Sequence, residues 1–188
     1  MITKSNLKNM LSSAGFSGTS NDKYEKNYPL SNCSIVVDFR KEKIIYPENK
    51  GFKVNIATTT NFSEPENFVV LECVNKLLGK GYRPENIELE RTWTLGHKQK
   101  GGRADICVSD QNGKMLFIVE CKTYGSEYNK EMKNILSDGG QLISYWQQDR
   151  GCRWLVLYAS NINGNDEIEY TTDSINCSDD ENILNQEK

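Results

Sequence analysis

Apolar and polar positions along the chain divide it into a weakly patterned N-terminal third and a strongly patterned middle. Residues 5–14 carry apolar positions at helical spacing behind Ser5, which predicts a short capped helix. Residues 16–31 are polar and rich in turn formers. Ser34–Phe39 and Lys43–Tyr46 then read as two strands of a hairpin, joined by a charged turn. A second polar stretch, 55–61, separates this hairpin from the next patterned segment. Ser63-Glu64-Pro65-Glu66 is a helix start, with Ser63 as cap and Glu66 three residues on. Phe68, Leu71, Val74, Leu77 and Leu78 continue at helical spacing until Gly79-Lys80-Gly81.

Ile87–Trp93 alternates like a strand. Leu95–Gly102 is a basic, glycine-rich loop. Arg103–Ser109 and Met115–Lys122 are two further strands, and Asn112-Gly113 between them is a strong hairpin signal. Glu127–Leu136 reads as a helix, broken at Asp138-Gly139-Gly140 and resumed over Gln141–Asp149. Arg153–Ser160 is nearly continuous apolar strand, as in a sheet covered on both faces. After Asn161 the pattern fades. The core order is helix, three strands, helix, strand. A right-handed crossover makes Arg153–Ser160 parallel to Met115–Lys122. The expected fold is an α/β sandwich around a mixed central sheet flanked by helices. The chain then divides into three segments: 1–61 as an N-terminal extension with a β-hairpin, 62–160 as the core, and 161–188 as an acidic, polar tail or linker.

Composition narrows the class. The chain has 188 residues, 37% hydrophobic and 26% charged, which suits one domain. No run of apolar residues is long enough to span a bilayer, and the first residues lack the apolar region of a secretory signal. A cytoplasmic protein is expected. The net charge of −3 hides an asymmetry, because residues 161–188 hold eight acids and one base. The six cysteines form no C-x-x-C pair and His97 is the only histidine, so reduced, mostly buried thiols are expected rather than a zinc site. Trp93, Trp146 and Trp154 sit in apolar contexts and read as core residues. No P-loop or methyltransferase glycine motif occurs in the chain.

The candidate chemistry centres on Asp105 and on Glu120-Cys121-Lys122. Side chains alternate along a strand, so Glu120 and Lys122 share a face and Cys121 points the other way. The hairpin brings Asp105, near the start of one strand, beside the end of the other. Two carboxylates after the apolar run Leu116–Val119 call for a compensating cation. Oxygen ligands of this kind suit Mg²⁺, and the Cys121 backbone carbonyl is placed to join them. A plainer reading makes Asp105, Glu120 and Lys122 a salt-bridge cluster at a strand end. Gln141 and Tyr145 stand one helical turn apart and face the same way. His97, Lys98, Lys100 and Arg103 suit phosphate contacts or an ordinary solvated loop, as do Lys130 and Lys133 on a charged helix face.

The stretches GRADICV, FIVECK and GQLISYW, in this order, resemble the restriction-endonuclease-like superfamily with its PD-(D/E)xK signature. They are most similar to the N-terminal nuclease domain of type I restriction enzyme R proteins and related restriction–modification polypeptides. The resemblance covers roughly residues 64–160, and the family core order αβββαβ is the order read above. It implies a metal-dependent deoxyribonuclease that uses Mg²⁺, with Mn²⁺ as a substitute. Asp105 would be the aspartate, Glu120 and Lys122 the E-x-K pair, and Gln141 and Tyr145 the Q-x-x-x-Y motif. Glu72 would be the helix acid that joins the metal site. Ala104 stands where the motif name has proline. The expected partners are double-stranded DNA and the motor, methyltransferase and specificity parts of a restriction–modification complex. The alternative is a catalytically silent domain of the same fold that binds DNA or a subunit.

Overall fold

A computed structural model describes residues 1–95 and 99–177. The N-terminal third holds more order than its sequence pattern suggests. Helix α1 (Leu7–Ser13) buries Leu7, Met10 and Leu11, spaced three and four apart. Ser5 does not cap it. Asn6 occupies the cap position, and its Oδ1 accepts from the Thr3 amide at 2.7 Å. Strands β1 (Ser17–Thr19), β2 (Lys23–Tyr28), β3 (Cys33–Asp38) and β4 (Lys43–Ile45) then form an antiparallel sheet in that order.

The expected hairpin is therefore the second half of a four-stranded sheet. The stretch 16–31 hid two strands because the inward row of β2 includes a lysine. Tyr24, Lys26 and Tyr28 alternate, and Lys26 Nζ donates inward to the Ala14 carbonyl at 2.6 Å and to Asn75 Oδ1 at 2.7 Å. An amphipathic side chain that turns inward defeats an apolar–polar count.

A two-residue strand β5 (Lys53–Val54) leads to helix α2 (Glu66–Gly79). Then come β6 (Ile87–Leu95), β7 (Gln99–Ser109), β8 (Met115–Cys121), α3 (Ser126–Asp138), α4 (Gly140–Gln148), β9 (Trp154–Ile162) and β10 (Ile168–Asn176). Strands β5 to β10 make a mixed six-stranded sheet in the order β10-β9-β8-β7-β6-β5. Strands β8 and β9 are parallel, as the crossover through α3 and α4 requires, and β5 runs parallel to β6. The fold is mixed α/β, as expected.

Alternation along β8 from Phe117 onward distributes the two cores. Phe117, Val119 and Cys121 join the apolar cluster around α2, while Ile118 joins the one beneath α3 and α4, as does Met115 beyond the irregularity in the ladder at Ser109↔Met115. Ile2, Leu7, Met10, Leu11, Ile35 and Val37 are buried in the same cluster as Phe68, Leu71 and Val74 of α2. The first 61 residues thus share the core rather than decorate it.

The expectation of a tail from residue 161 is also corrected. Strand β10 pairs with β9 along its whole length, from Ile168↔Ile162 to Asn176↔Trp154. It is an edge strand with one face in water, so only Ile168, Thr171 and Ile175 are partly buried. Polar composition there marks a solvated edge, not a linker. Residues 178–188 lie outside the described residues.

Ser63 does not cap α2 either; its amide donates to Asn61 Oδ1. Trp146 is buried, with the Arg150 guanidinium over its ring. Trp93 is half-buried and stacked on Tyr145, whereas Trp154 is 40% exposed at the sheet end and does not belong to the core. All six cysteines are free, five of them buried. Among the described residues no helix is long and apolar enough to cross a membrane.

If the N-terminal segment shares the core, Leu11→Ala should cost about 2–5 kcal/mol, comparable with Leu71→Ala on α2. Urea unfolding followed by fluorescence and by far-UV circular dichroism should give one coincident transition for both variants. Separate transitions would show that the N-terminal sheet folds as its own unit.

Candidate active site

The site forms where the six-stranded sheet opens. On one side of β7, ladder pairs reach Ile106↔Val119 and stop, so Asp105 has no partner on β8. On the other side Leu89↔Ile106 and Arg91↔Ala104 are paired, but Glu90 and Asp105 are not. Glu90 takes φ +56°, outside strand geometry. The Cys121 amide, deprived of a carbonyl across the hairpin, donates instead to Asp105 Oδ2 at 2.7 Å in a buried hydrogen bond. Backbone pairing is replaced by a side-chain carboxylate, which fixes Asp105 against the end of β8.

Glu120 and Lys122 share a face, as alternation requires. Lys122 Nζ lies 2.5 Å from Glu120 Oε1 and 3.6 Å from Glu66 Oε2, an acid in the first turn of α2. Cys121 points to the opposite, α2-side core. Tyr145 of α4 reaches the same centre. Its hydroxyl donates to the Arg103 carbonyl at 2.7 Å and lies 3.2 Å from Glu120 Oε2. Gln141 Nε2 donates to that hydroxyl at 3.3 Å. Glu120, Lys122, Gln141 and Tyr145 are thus linked by polar contacts, and Asp105 is fixed beside them through the amide of Cys121.

Glu72 is not brought there. It is buried on another face of α2, where it accepts from the Tyr158 hydroxyl and pairs with Lys76 at 3.5 Å. Glu66, six residues earlier, is the acid of this helix that reaches Lys122. The capping box expected of Glu66 does not form, since no side-chain bond caps α2.

Two other acids bear on the site without any mark in the sequence pattern. Glu90 is buried beside the opening. Glu131 of α3 is buried and accepts from the Gln141 amide at 3.2 Å, closing the N-terminus of α4. Gly102 carries a signal that composition alone does not reveal: a Cβ there would lie 2.3 Å from the Tyr145 ring. The glycine lets the ring pass beneath β7. Of the basic candidates, His97 and Lys98 lie outside the described residues, as does the side chain of Lys100. Lys130 and Lys133 are exposed on α3.

Residues 65–175 match the family model for the type I restriction enzyme R protein N terminus. The chain belongs to that family. No curated protein matches it. The R protein is a component of multi-subunit restriction–modification enzymes. In this R-protein domain the match begins just ahead of Glu66 and ends within β10. It therefore takes in the whole opened-sheet site and leaves the N-terminal sheet outside.

The electrostatics of the R-protein site are unbalanced. Burial, reinforced by Glu120 and Glu66, holds the Asp105 carboxyl well above its usual range, against the pull of the Cys121 amide and Lys122. Burial likewise raises Glu120 to about 7, although Lys122 and Tyr145 pull it down. Glu66 is raised by burial too, which outweighs Lys122. For Lys122 burial works downward, but Glu120, Glu66 and Asp105 outweigh it and keep the ammonium charged far above neutral pH. Three carboxylates therefore face one ammonium.

A hard cation suits this deficit. Among the described residues no group of three or more His, Cys, Asp or Glu side chains is arranged to hold a metal ion. Asp105 and Glu120 supply two carboxylates, a donor set that fits Mg²⁺, which uses one or two carboxylates and keeps several waters.

The sign of the pH effect comes from the raised carboxylates. The folded chain binds protons that the unfolded chain, with Glu at its ordinary 4.5, has already released. Stability is complete below that value and falls as pH rises towards about 7, by on the order of 3 kcal/mol for Glu120. Urea titrations in EDTA should show this decline between pH 5 and pH 8. Glu120→Gln should flatten it, and an equally steep decline in the variant would assign it to other groups. Gly102→Ala should displace the Tyr145 ring and destabilise the fold by about 1–3 kcal/mol through overpacking, read as a lowered urea midpoint.

Proposed function

We propose that this chain is a Mg²⁺-dependent DNA endonuclease domain of a restriction–modification enzyme, hydrolysing phosphodiester bonds. The observation that carries this reading is the convergence of Asp105, Glu120, Lys122 and Tyr145 on a break in the sheet, with two buried carboxyl groups beside a single lysine.

Asp105 and Glu120 would hold the metal, joined by the carbonyl of Cys121, the residue after Glu120. The ion supplies Lewis acidity towards the phosphodiester and lowers the pKa of a bound water. Lys122 stays protonated in its carboxylate surroundings. This supports a role as a fixed positive charge that orients the attacking water and offsets charge on the phosphorane-like transition state, rather than as a general base. It must shift from Glu120 Oε1 for that oxygen to serve a cation. Glu66, not Glu72, is placed to take up the ammonium when it does. The Tyr145 hydroxyl, steadied by Gln141, lies 3.2 Å from the second oxygen of Glu120, and its one proton can serve either that oxygen or the Arg103 carbonyl. Water adds to phosphorus, the bond from phosphorus to the 3′ oxygen breaks, and the products carry 5′-phosphate and 3′-hydroxyl ends. Double-stranded DNA is the substrate, and the motor and specificity parts of the enzyme are the partners.

One observation favours the catalytically silent alternative: among the described residues no three His, Cys, Asp or Glu side chains are grouped to hold a metal ion. A plasmid-nicking assay in Mg²⁺ or Mn²⁺ separates the readings. The wild-type chain should cut, Lys122→Ala should be slower by about 10²–10³-fold, and Glu120→Ala should be inactive. Isothermal calorimetry should show Mg²⁺ uptake that Asp105→Asn abolishes. Neither cutting nor metal uptake by the wild type would establish the binding domain instead.

A further inference from the structure

Glu90 has an expensive placement that the proposed chemistry does not use. Its side chain is 1% exposed and its backbone lies at φ +56°, a region non-glycine residues enter at a cost. Oε1 accepts from the Thr58 hydroxyl at 2.7 Å, while Oε2 has no hydrogen-bond partner and is offset only by an ion pair, 2.5 Å from Arg103 Nε. Buried ion pairs are a weak source of stability compared with apolar residues of similar size. What this pair supplies is direction.

Nε is the inner nitrogen of the guanidinium. The ion pair keeps it beside Glu90 while the side chain as a whole stays 46% exposed. Among the described residues no other acidic group lies within 4 Å of Arg103. The arginine is also rooted in the site. Its own carbonyl accepts the Tyr145 hydroxyl at 2.7 Å, and that hydroxyl is 3.2 Å from Glu120. Asp105 comes two residues later on the same strand.

We propose that Arg103 grips a backbone phosphate of the DNA next to the reacting one, and that Glu90 is the positioning residue that aims it. The inference rests on the nuclease reading. An arginine fork matches phosphate oxygens in two parallel hydrogen bonds. Anchoring Nε in advance removes part of the ordering cost that a free surface arginine meets on binding. Thr58 completes the device by fixing the other oxygen of Glu90. The strain at Glu90 is then the condition for turning its carboxylate towards Arg103 instead of continuing the strand.

The test is equilibrium binding of a short DNA duplex to the 188-residue chain in EDTA, over a series of salt concentrations. The double variant Glu90→Gln with Arg103→Gln has the wild-type net charge and buries no unpaired ion. Charge alone predicts unchanged binding. The clamp predicts affinity about tenfold weaker, with the slope of log affinity against log salt shallower by about 1. Glu90→Gln alone removes a negative charge, so bulk electrostatics predicts tighter binding, whereas the positioning role predicts weaker binding. Arg103→Lys keeps the charge and the pairing with Glu90, and should still lose most of the affinity without a change in melting temperature. It carries the test if the Glu90 variants fail to fold.

Wild-type affinity and slope in the double variant, or in Arg103→Lys, would overturn the clamp. Tighter binding by Glu90→Gln would overturn the role of Glu90. A wild-type chain that binds and cuts DNA while these variants match it leaves the nuclease reading intact and removes only this inference. A wild-type chain that neither binds nor cuts removes both.

Discussion

The hydrogen bond from the Cys121 amide to Asp105 is the constraint on which the site depends. A strand amide ordinarily finds a carbonyl on its neighbour, and a buried amide without a partner is costly. Here the partner is a side chain, so β7 and β8 can part at Asp105 without leaving the amide unsatisfied. Their parting makes room for Glu120 and Lys122 inside the sheet rather than at its rim. On the far side of β7 the same opening is maintained by Glu90, whose backbone leaves strand geometry opposite Asp105. The two departures have one effect: a gap lined by acids in an otherwise regular sheet.

The gap is closed from one side by Tyr145, and this explains the local sequence on three separate elements. Gly102 must lack a side chain for the ring to pass. Glu131 must reach the first turn of α4 to set the helix that carries the ring. Gly139, at φ +86°, turns the chain sharply between α3 and α4, so that the second helix lies across β7, β8 and β9. Residues that look like loop composition in the sequence are fitted to one phenol.

Much of this is legible in the sequence. Strand alternation and a hairpin turn bring Asp105, Glu120 and Lys122 together, and one turn of helix sets Gln141 and Tyr145 on one face, while the family resemblance is what assigns that face to the site. The first two are short-range rules, and short-range rules hold. Glu72 is assigned by the family resemblance, and membership of the helix does not say which face a residue occupies. Six residues correspond to about 600° of rotation at about 100° per residue, so Glu66 and Glu72 point in different directions. Glu90 carries no sequence mark at all, since a positive φ at a glutamate is imposed by its surroundings. Strands β2 and β10 escape the pattern for opposite reasons: β2 turns a lysine inward, and β10 turns nearly everything outward.

Helix α2 makes a last point. It delivers Glu66 to the site, yet eleven of its fourteen residues are buried, on every side. The six-stranded sheet covers one flank, and the four-stranded sheet with α1 covers the other. The family match begins one residue before this helix, so the layer over its outer flank comes from sequence outside that match. The stretch that matches the family and the stretch that packs as one core therefore have different limits in this chain. Taken alone, residues 65–175 would leave an apolar wall of α2 bare, and here the residues ahead of them furnish its covering.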